Sequence, residues 1–154
     1  MLTVHHLNQS RSQRVLWALE ELQLPYQIVR YQREKTMLAP AALKKIHPLG
    51  KPPVPFGVRS LGSLLGKGIQ KTWLDPQLAT HARFIDDHLA ARPWFAGERL
   101  SMADIQMSFP VMALLARGGM HDLVHIEAWR QRVEQRPAWQ RAIERGGLFT
   151  LPGA

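Results

Sequence analysis

The chain has 154 residues, 45% apolar and 21% charged, with no Cys, a formal charge of +8 at pH 7 and aromatic residues spread throughout. That length and apolar fraction suit one ordinary domain or two small ones and exclude a disordered chain; the want of Cys excludes a disulfide scaffold, a thiolate metal site and a catalytic cysteine. The longest apolar stretch, Pro110 to Ala116, falls far short of the roughly 20 residues that a membrane-spanning helix needs.

Leu2 to Leu7 is an apolar-rich run suited to a strand. Asn8-Gln-Ser-Arg then turns into a helix, and Ser10 with Gln13 reads as its capping box, the hydroxyl accepting from the third helical N–H and the amide reaching back. Val15, Leu16, Leu19 and Leu22 mark the buried stripe of that helix, and Pro25 stops it. Tyr26 to Tyr31 is a second strand, which completes a β-α-β unit with a right-handed crossover. Met37 to Ile46 reads as a short, Pro-interrupted helix. Residues 47–68 lose all periodicity, so the chain divides into 1–54, a Pro/Gly-rich joint over 55–70, and 71–154.

Beyond the joint everything is helical. Asp75-Pro76 opens one helix with an apolar face of Leu78, Ile85 and Leu89; a second runs from Ser101 to about Arg117 and ends at Gly118-Gly119. A third covers roughly Ile126 to Gln135, and Pro137 opens a last one that stops at Gly146-Gly147. Leu78, Ile85, Ile105, Phe109, Met112, Leu115, Trp129 and Val133 are the expected core of this part. Trp17, Trp94, Trp129 and Trp139 also belong to apolar faces or helix starts.

The charge excess sits in the first half. Residues 1–74 hold 11 basic and 3 acidic side chains, whereas residues 75–154 hold 9 of each. That half suits an anion, a small carboxylate or a nucleic acid, but the basic residues are scattered and no zinc-finger, RNA-recognition or basic-zipper pattern accompanies them, which speaks against nucleic acid. No metal is expected: His5 and His6 point to opposite faces of a strand, and the pairs His81/His88 and His121/His125 lack a third ligand. Asp86-Asp87 reads as a solvated pair on a polar helix face, and no phosphate-loop glycine pattern occurs.

The sharpest local signal is Leu100-Ser-Met-Ala-Asp-Ile105, where Ser101 and Asp104 form a capping box and Leu100 with Ile105 a hydrophobic staple. With Trp94-Phe-Ala-Gly97 upstream, it resembles the capping-box helix in the C-terminal domain of glutathione transferases. His5 to Leu22 is similar to the first strand and helix of their thioredoxin-like domain, and His47-Pro-Leu-Gly-Lys-Pro-Pro-Val54 to the loop carrying their cis-proline. The likeness covers about residues 1–54 and 69–150, in family order.

The fold so implied is α+β and mostly helical: a partial thioredoxin-like β-α-β unit followed by an all-α C-terminal domain. The implied activity is conjugation of glutathione, as co-substrate, to a hydrophobic electrophile in detoxification, by a cytoplasmic homodimer. Ser10 matches the position of the hydroxyl that stabilises the thiolate, with Ser12 the fallback and Asn8 a weaker one; a capping role alone also accounts for Ser10. Lys51 falls where the family often has a Lys or Gln near the peptide's carboxylates, Pro53 aligns with the cis-proline, and Pro52 precedes it. Pro52 has no N–H to offer the ligand's backbone, and Arg59-Ser60 lacks the acid or amide before serine that grips the γ-glutamyl end. The two antiparallel strands and the helices that follow the loop in the family are missing. The expected remedy is a short replacement strand over residues 54–60, or a second chain over the exposed sheet. The competing reading is a non-catalytic helical protein, derived from that family, that binds an apolar ligand or a partner chain.

Overall fold

The computed structural model describes residues 1–34, 40, 42–43, 70–118 and 122–147. The proposed strand over residues 54–60, with Lys51, Pro52 and Pro53, falls outside the described residues, and so does most of the Met37–Ile46 segment. The order is β1 (Leu2–Leu7), α1 (Gln13–Glu21), β2 (Tyr26–Tyr31), then α2 (Asp75–Ala90) led in by a π-helical turn over Gln70–Leu74, α3 (Met102–Arg117), α4 (Val124–Glu134) and α5 (Pro137–Gly146). The architecture is therefore α+β and mostly helical, as its pattern implied. Among the described residues, no helix is long and apolar enough to cross a membrane.

β1 and β2 pair in parallel, with Val4 opposite Ile28 and His6 opposite Arg30. Alternation along β1 turns Val4 and His6 toward the protein, and His6 is only 2% exposed. α1 lies between this sheet and the helical part, where it meets α3 and α5. Its buried face differs from the expected stripe. Leu16 and Leu19 are buried, but Val15 and Leu22 are exposed, and their places are taken by Gln13, Trp17 and Glu20. The face thus follows the i, i+3, i+4, i+7 period from Gln13, and two of its members are polar.

Glu20 and Glu21 end α1, where the helix dipole disfavours negative charge. Arginines of the last helix and its lead-in compensate. Arg141 Nε and Arg145 NH1 donate to Glu20 at 2.8 and 2.9 Å, Tyr26 Oη donates to it at 2.6 Å, and Arg136 Nε donates to Glu21 at 2.6 Å. Burial pushes the Glu20 carboxyl up, but these three donors outweigh it and hold it below the ordinary carboxylate range. The interface between the β-α-β unit and α5 is therefore apolar at Trp17 and Trp139, whose rings meet edge to face, and ionic at its rim.

The end of α1 is set by its own backbone rather than by Pro25. Gln23 adopts φ 53°, Gln23 N–H donates to Glu20 C=O at 3.3 Å, and Leu24 N–H donates to Leu19 C=O at 3.0 Å. This is a Schellman cap with glutamine where glycine is usual.

In the helical part, the Ser101–Asp104 capping box forms. Asp104 is fully buried: Oδ2 accepts from Ser101 N–H at 2.9 Å, while Oδ1 accepts from Phe95 N–H at 2.9 Å and Trp129 Nε1 at 3.0 Å. Leu100 and Ile105 both join the core that Trp129, Val133 and Met112 fill. All four tryptophans assigned to the core are buried there. The reading of Asp86 is corrected. Asp87 is exposed, but Asp86 is buried, and its Oδ1 accepts from the backbone N–H groups of His125 and Ile126 at 2.9 and 2.8 Å. α4 has no capping side chain of its own, so a carboxylate from α2 serves its N-terminus.

Candidate functional site

β1 ends and α1 begins in a tight turn that carries Asn8, Gln9, Ser10, Arg11 and Ser12. Asn8 is used by the backbone: its Oδ1 accepts from Arg33 N–H at 2.8 Å and its C=O from Arg33 Nε at 3.2 Å. This joins the turn to the segment after β2.

Ser10 does not close a capping box with Gln13. The N-cap position is Ser12, in helical conformation and without a side-chain cap. The Gln13 side chain turns inward instead, its Oε1 2.7 Å from where a Cβ on Gly146 would stand. With the capping role gone, the hydroxyls of Ser10 and Ser12 meet each other at 2.7 Å, and Ser10 Oγ accepts from Ser12 N–H at 3.2 Å. Ser12 Oγ in turn lies 2.9 Å from His6 Nδ1. Ser10 and Ser12 are both partly exposed, so the chain runs from a surface hydroxyl, through a second, to a buried imidazole.

The far side of that imidazole is held by α5. The His6 ring lies against Gly146: a Cβ there would come within 2.6 Å of Leu16 Cδ1 and 3.3 Å of His6 Nε2. Only glycine lets the last helix sit this close to β1 and α1. Burial pushes the His6 pKa down and the Arg30 charge adds to this, against the raising effect of the Gly146 carbonyl; the net direction is below 6.5. Burial thus favours the uncharged ring.

By sequence the turn is Asn8 to Arg11 and Ser12 lies within the helix that Ser10 caps; the structure places Ser12 in the turn, its hydroxyl against that of Ser10. By sequence His6 has no role beyond the exclusion of a metal. The signal was available: with Val4 turned inward, the period of two along β1 puts His6 on the same face.

On the other side of the turn, Arg11, Arg14, Val15, Ala18, Leu19, Met102, Ile105 and Gln106 line a groove of about 190 Å³ between α1 and α3. Arg11 and Arg14 each stand 5.8 Å over the Phe109 ring, and neither has a carboxylate partner among the described residues.

Two family models match the chain in succession, the N-terminal domain of glutathione S-transferases over residues 10–60 and their C-terminal domain over residues 66–137. Glutathione S-transferase 3 of Schizosaccharomyces pombe is 26% identical over 213 aligned positions, which take in 94% of this chain and 88% of the relative. That alignment is longer than the 154-residue chain, so the relative holds residues opposite gaps in this one. Glutathione S-transferase 1 of Saccharomyces cerevisiae is 50% identical over 54 residues, 35% of this chain and 23% of the relative. Among solved structures, a glutathione S-transferase from Actinobacillus pleuropneumoniae superposes with a TM-score of 0.79 at 26% identity, covering 95% of this chain and 93% of its own. A theta class enzyme from Xanthomonas axonopodis pv. citri, solved with glutathione bound, shares the fold at a TM-score of 0.56 and 20% identity, with 96% and 98% covered.

Proposed function

The chain belongs to the glutathione S-transferase family, and on that premise we propose that it binds glutathione at the β1–α1 turn and conjugates its sulfur to a hydrophobic electrophile. Ser10 donates a hydrogen bond to the thiolate. A thiol of ordinary pKa, about 8.5, is largely protonated at pH 7, so a hydroxyl donor and the N-terminus of α1 favour the reactive form. The observation that carries this reading is the Ser10 hydroxyl itself: partly exposed, released from capping, and 2.7 Å from Ser12 Oγ.

Ser12 supports Ser10 from behind. By the family's pattern Lys51 is assigned to the peptide's carboxylates and Pro52 and Pro53 to its cysteinyl unit; Pro52, with no N–H, can offer that unit an acceptor alone. Arg11 stands at the edge of the groove between α1 and α3, so an apolar group seated there lies beside the serine turn. The active species is a homodimer in the cytoplasm.

The test is glutathione-dependent conjugation of an activated aryl halide. Ser10→Ala removes one hydrogen bond to an anion, worth about 1.5–3 kcal/mol, and lowers kcat/KM by roughly 10- to 100-fold with little change in melting temperature. A folded wild-type chain whose melting midpoint does not move with millimolar glutathione would instead favour the non-catalytic binding protein.

A further inference from the structure

The direction of the hydroxyl chain follows from its inner end. With Nδ1 on the Ser12 hydroxyl, Nε2 is the His6 nitrogen on the Gly146 side, and the tautomer that carries its hydrogen there points it toward a carbonyl that can only accept. A neutral imidazole has one N–H, which leaves Nδ1 an acceptor, 2.9 Å from Ser12 Oγ. Ser12 then donates to His6 at 2.9 Å in preference to the Leu7 carbonyl at 3.4 Å, and its lone pairs are left for the Ser10 hydroxyl at 2.7 Å. Every hydrogen in the resting chain points inward, from the surface toward a buried, unprotonated base.

We propose that His6 is the terminal proton acceptor of a Ser10–Ser12–His6 relay that takes up the thiol proton when glutathione binds. The step rests on the glutathione reading above. The S–H bond breaks as its proton passes to Ser10 Oγ, the Ser10 hydrogen passes to Ser12 Oγ, and the Ser12 hydrogen passes to His6 Nδ1. Both serines end as hydroxyls, and the products are a thiolate and an imidazolium. All hydrogens now point outward, so Ser10 donates to the sulfur and the His6 cation is held between Ser12 and the Gly146 carbonyl. The groups around the ring are Arg30 from β2, Ser12 from the turn, Gln13 from α1, and Gly146 from α5. Of these only Arg30 is charged; burial first, and then the Arg30 charge, disfavour protonation of the ring beforehand, and the thiolate offsets that charge afterwards.

The experiment counts protons. Glutathione is titrated into the protein at pH 7 in buffers of different ionisation enthalpy, with thiolate followed by ultraviolet difference absorption and the His6 ring by 15N NMR. The wild type is expected to form thiolate while His6 becomes an imidazolium. His6→Asn, whose Oδ1 still accepts from Ser12 but takes no proton, is expected to release about one more proton per site to the buffer or to lose most of the thiolate. Should His6→Asn not fold, Ser12→Ala cuts the relay at its middle and is expected to give the same change, with His6 neutral throughout. A wild type that forms thiolate while His6 stays neutral, or a variant with an unchanged proton count and thiolate yield, overturns the relay and leaves the glutathione reading intact. A wild type that forms no thiolate overturns both.

Discussion

Arg14 NH1 donates to the Gln106 carbonyl at 2.9 Å, and that carbonyl is the one that Pro110, four residues on in α3, leaves without a helical donor. Proline in a helix interior removes an i→i−4 hydrogen bond and breaks many helices. Here α3 runs on to Arg117 because a guanidinium from α1 supplies the missing N–H, with a second bond to Gln106 Oε1 at 2.7 Å. Pro110→Ala restores the helix's own bond, so the contribution of Arg14 should shrink in that background. We expect Arg14→Met to cost about 1 kcal/mol in the wild type and distinctly less beside Pro110→Ala. A double-mutant cycle by urea denaturation measures this coupling; additive effects would sink the account.

Asp86 and Asp87 are adjacent in sequence and unlike in role. Asp86→Ala leaves two backbone N–H groups at the start of α4 without their acceptor and should destabilise the protein by about 2–3 kcal/mol. Asp87→Ala, on the exposed face, should stay within about 0.5 kcal/mol. Chemical denaturation of the two variants side by side decides it.

Asp104 accepts from Ser101, Phe95 and Trp129 while fully buried. Asp104→Asn turns one acceptor into a donor that faces other donors, at a cost of about 3 kcal/mol or more. The melting midpoint should fall by roughly 6–12 °C, and the fluorescence of Trp129 should report its lost partner.

Gln23 holds a left-handed conformation to close α1. For a residue with a side chain this costs about 1–2 kcal/mol, against about 0.5–1 kcal/mol for the extra chain entropy of glycine. Gln23→Gly should therefore raise the melting midpoint by about 1–4 °C, and Gln23→Val should lower it.

Acid weakens the fold in two stages. His6 has a folded pKa below its ordinary 6.5, so the stability it contributes is complete above 6.5 and is lost as pH falls toward the folded value. Glu20 and Glu21 are held below 4.5 in the fold, chiefly against burial, by Tyr26, Trp17 and the arginines; their contribution is complete above 4.5 and disappears as pH falls through the folded values. Glu20→Gln should cost about 2 kcal/mol at pH 7 and flatten the second stage, as thermal melts between pH 7 and 3 would show.

Local chemistry alone specified most of the elements. The strands at Leu2–Leu7 and Tyr26–Tyr31, the helix ended by Gly118, the one opened by Pro137 and the Ser101–Asp104 box are all short-range patterns, each decided within a few residues by periodicity, capping or the limits of proline. The family likeness was legible for the same reason. The polar roles were not. Whether Glu20, Asp86 or His6 is solvated or buried depends on which helix lands on it, and the groups that cover it are 40 to 140 residues away in sequence: Arg141 and Arg145 for Glu20, the start of α4 for Asp86, the end of α5 for His6. Ser10 shows the division most plainly. Its sequence supports a cap as well as a catalytic hydroxyl; in the fold the Gln13 N–H goes to the Ser10 carbonyl, and the Ser10 hydroxyl meets Ser12 instead.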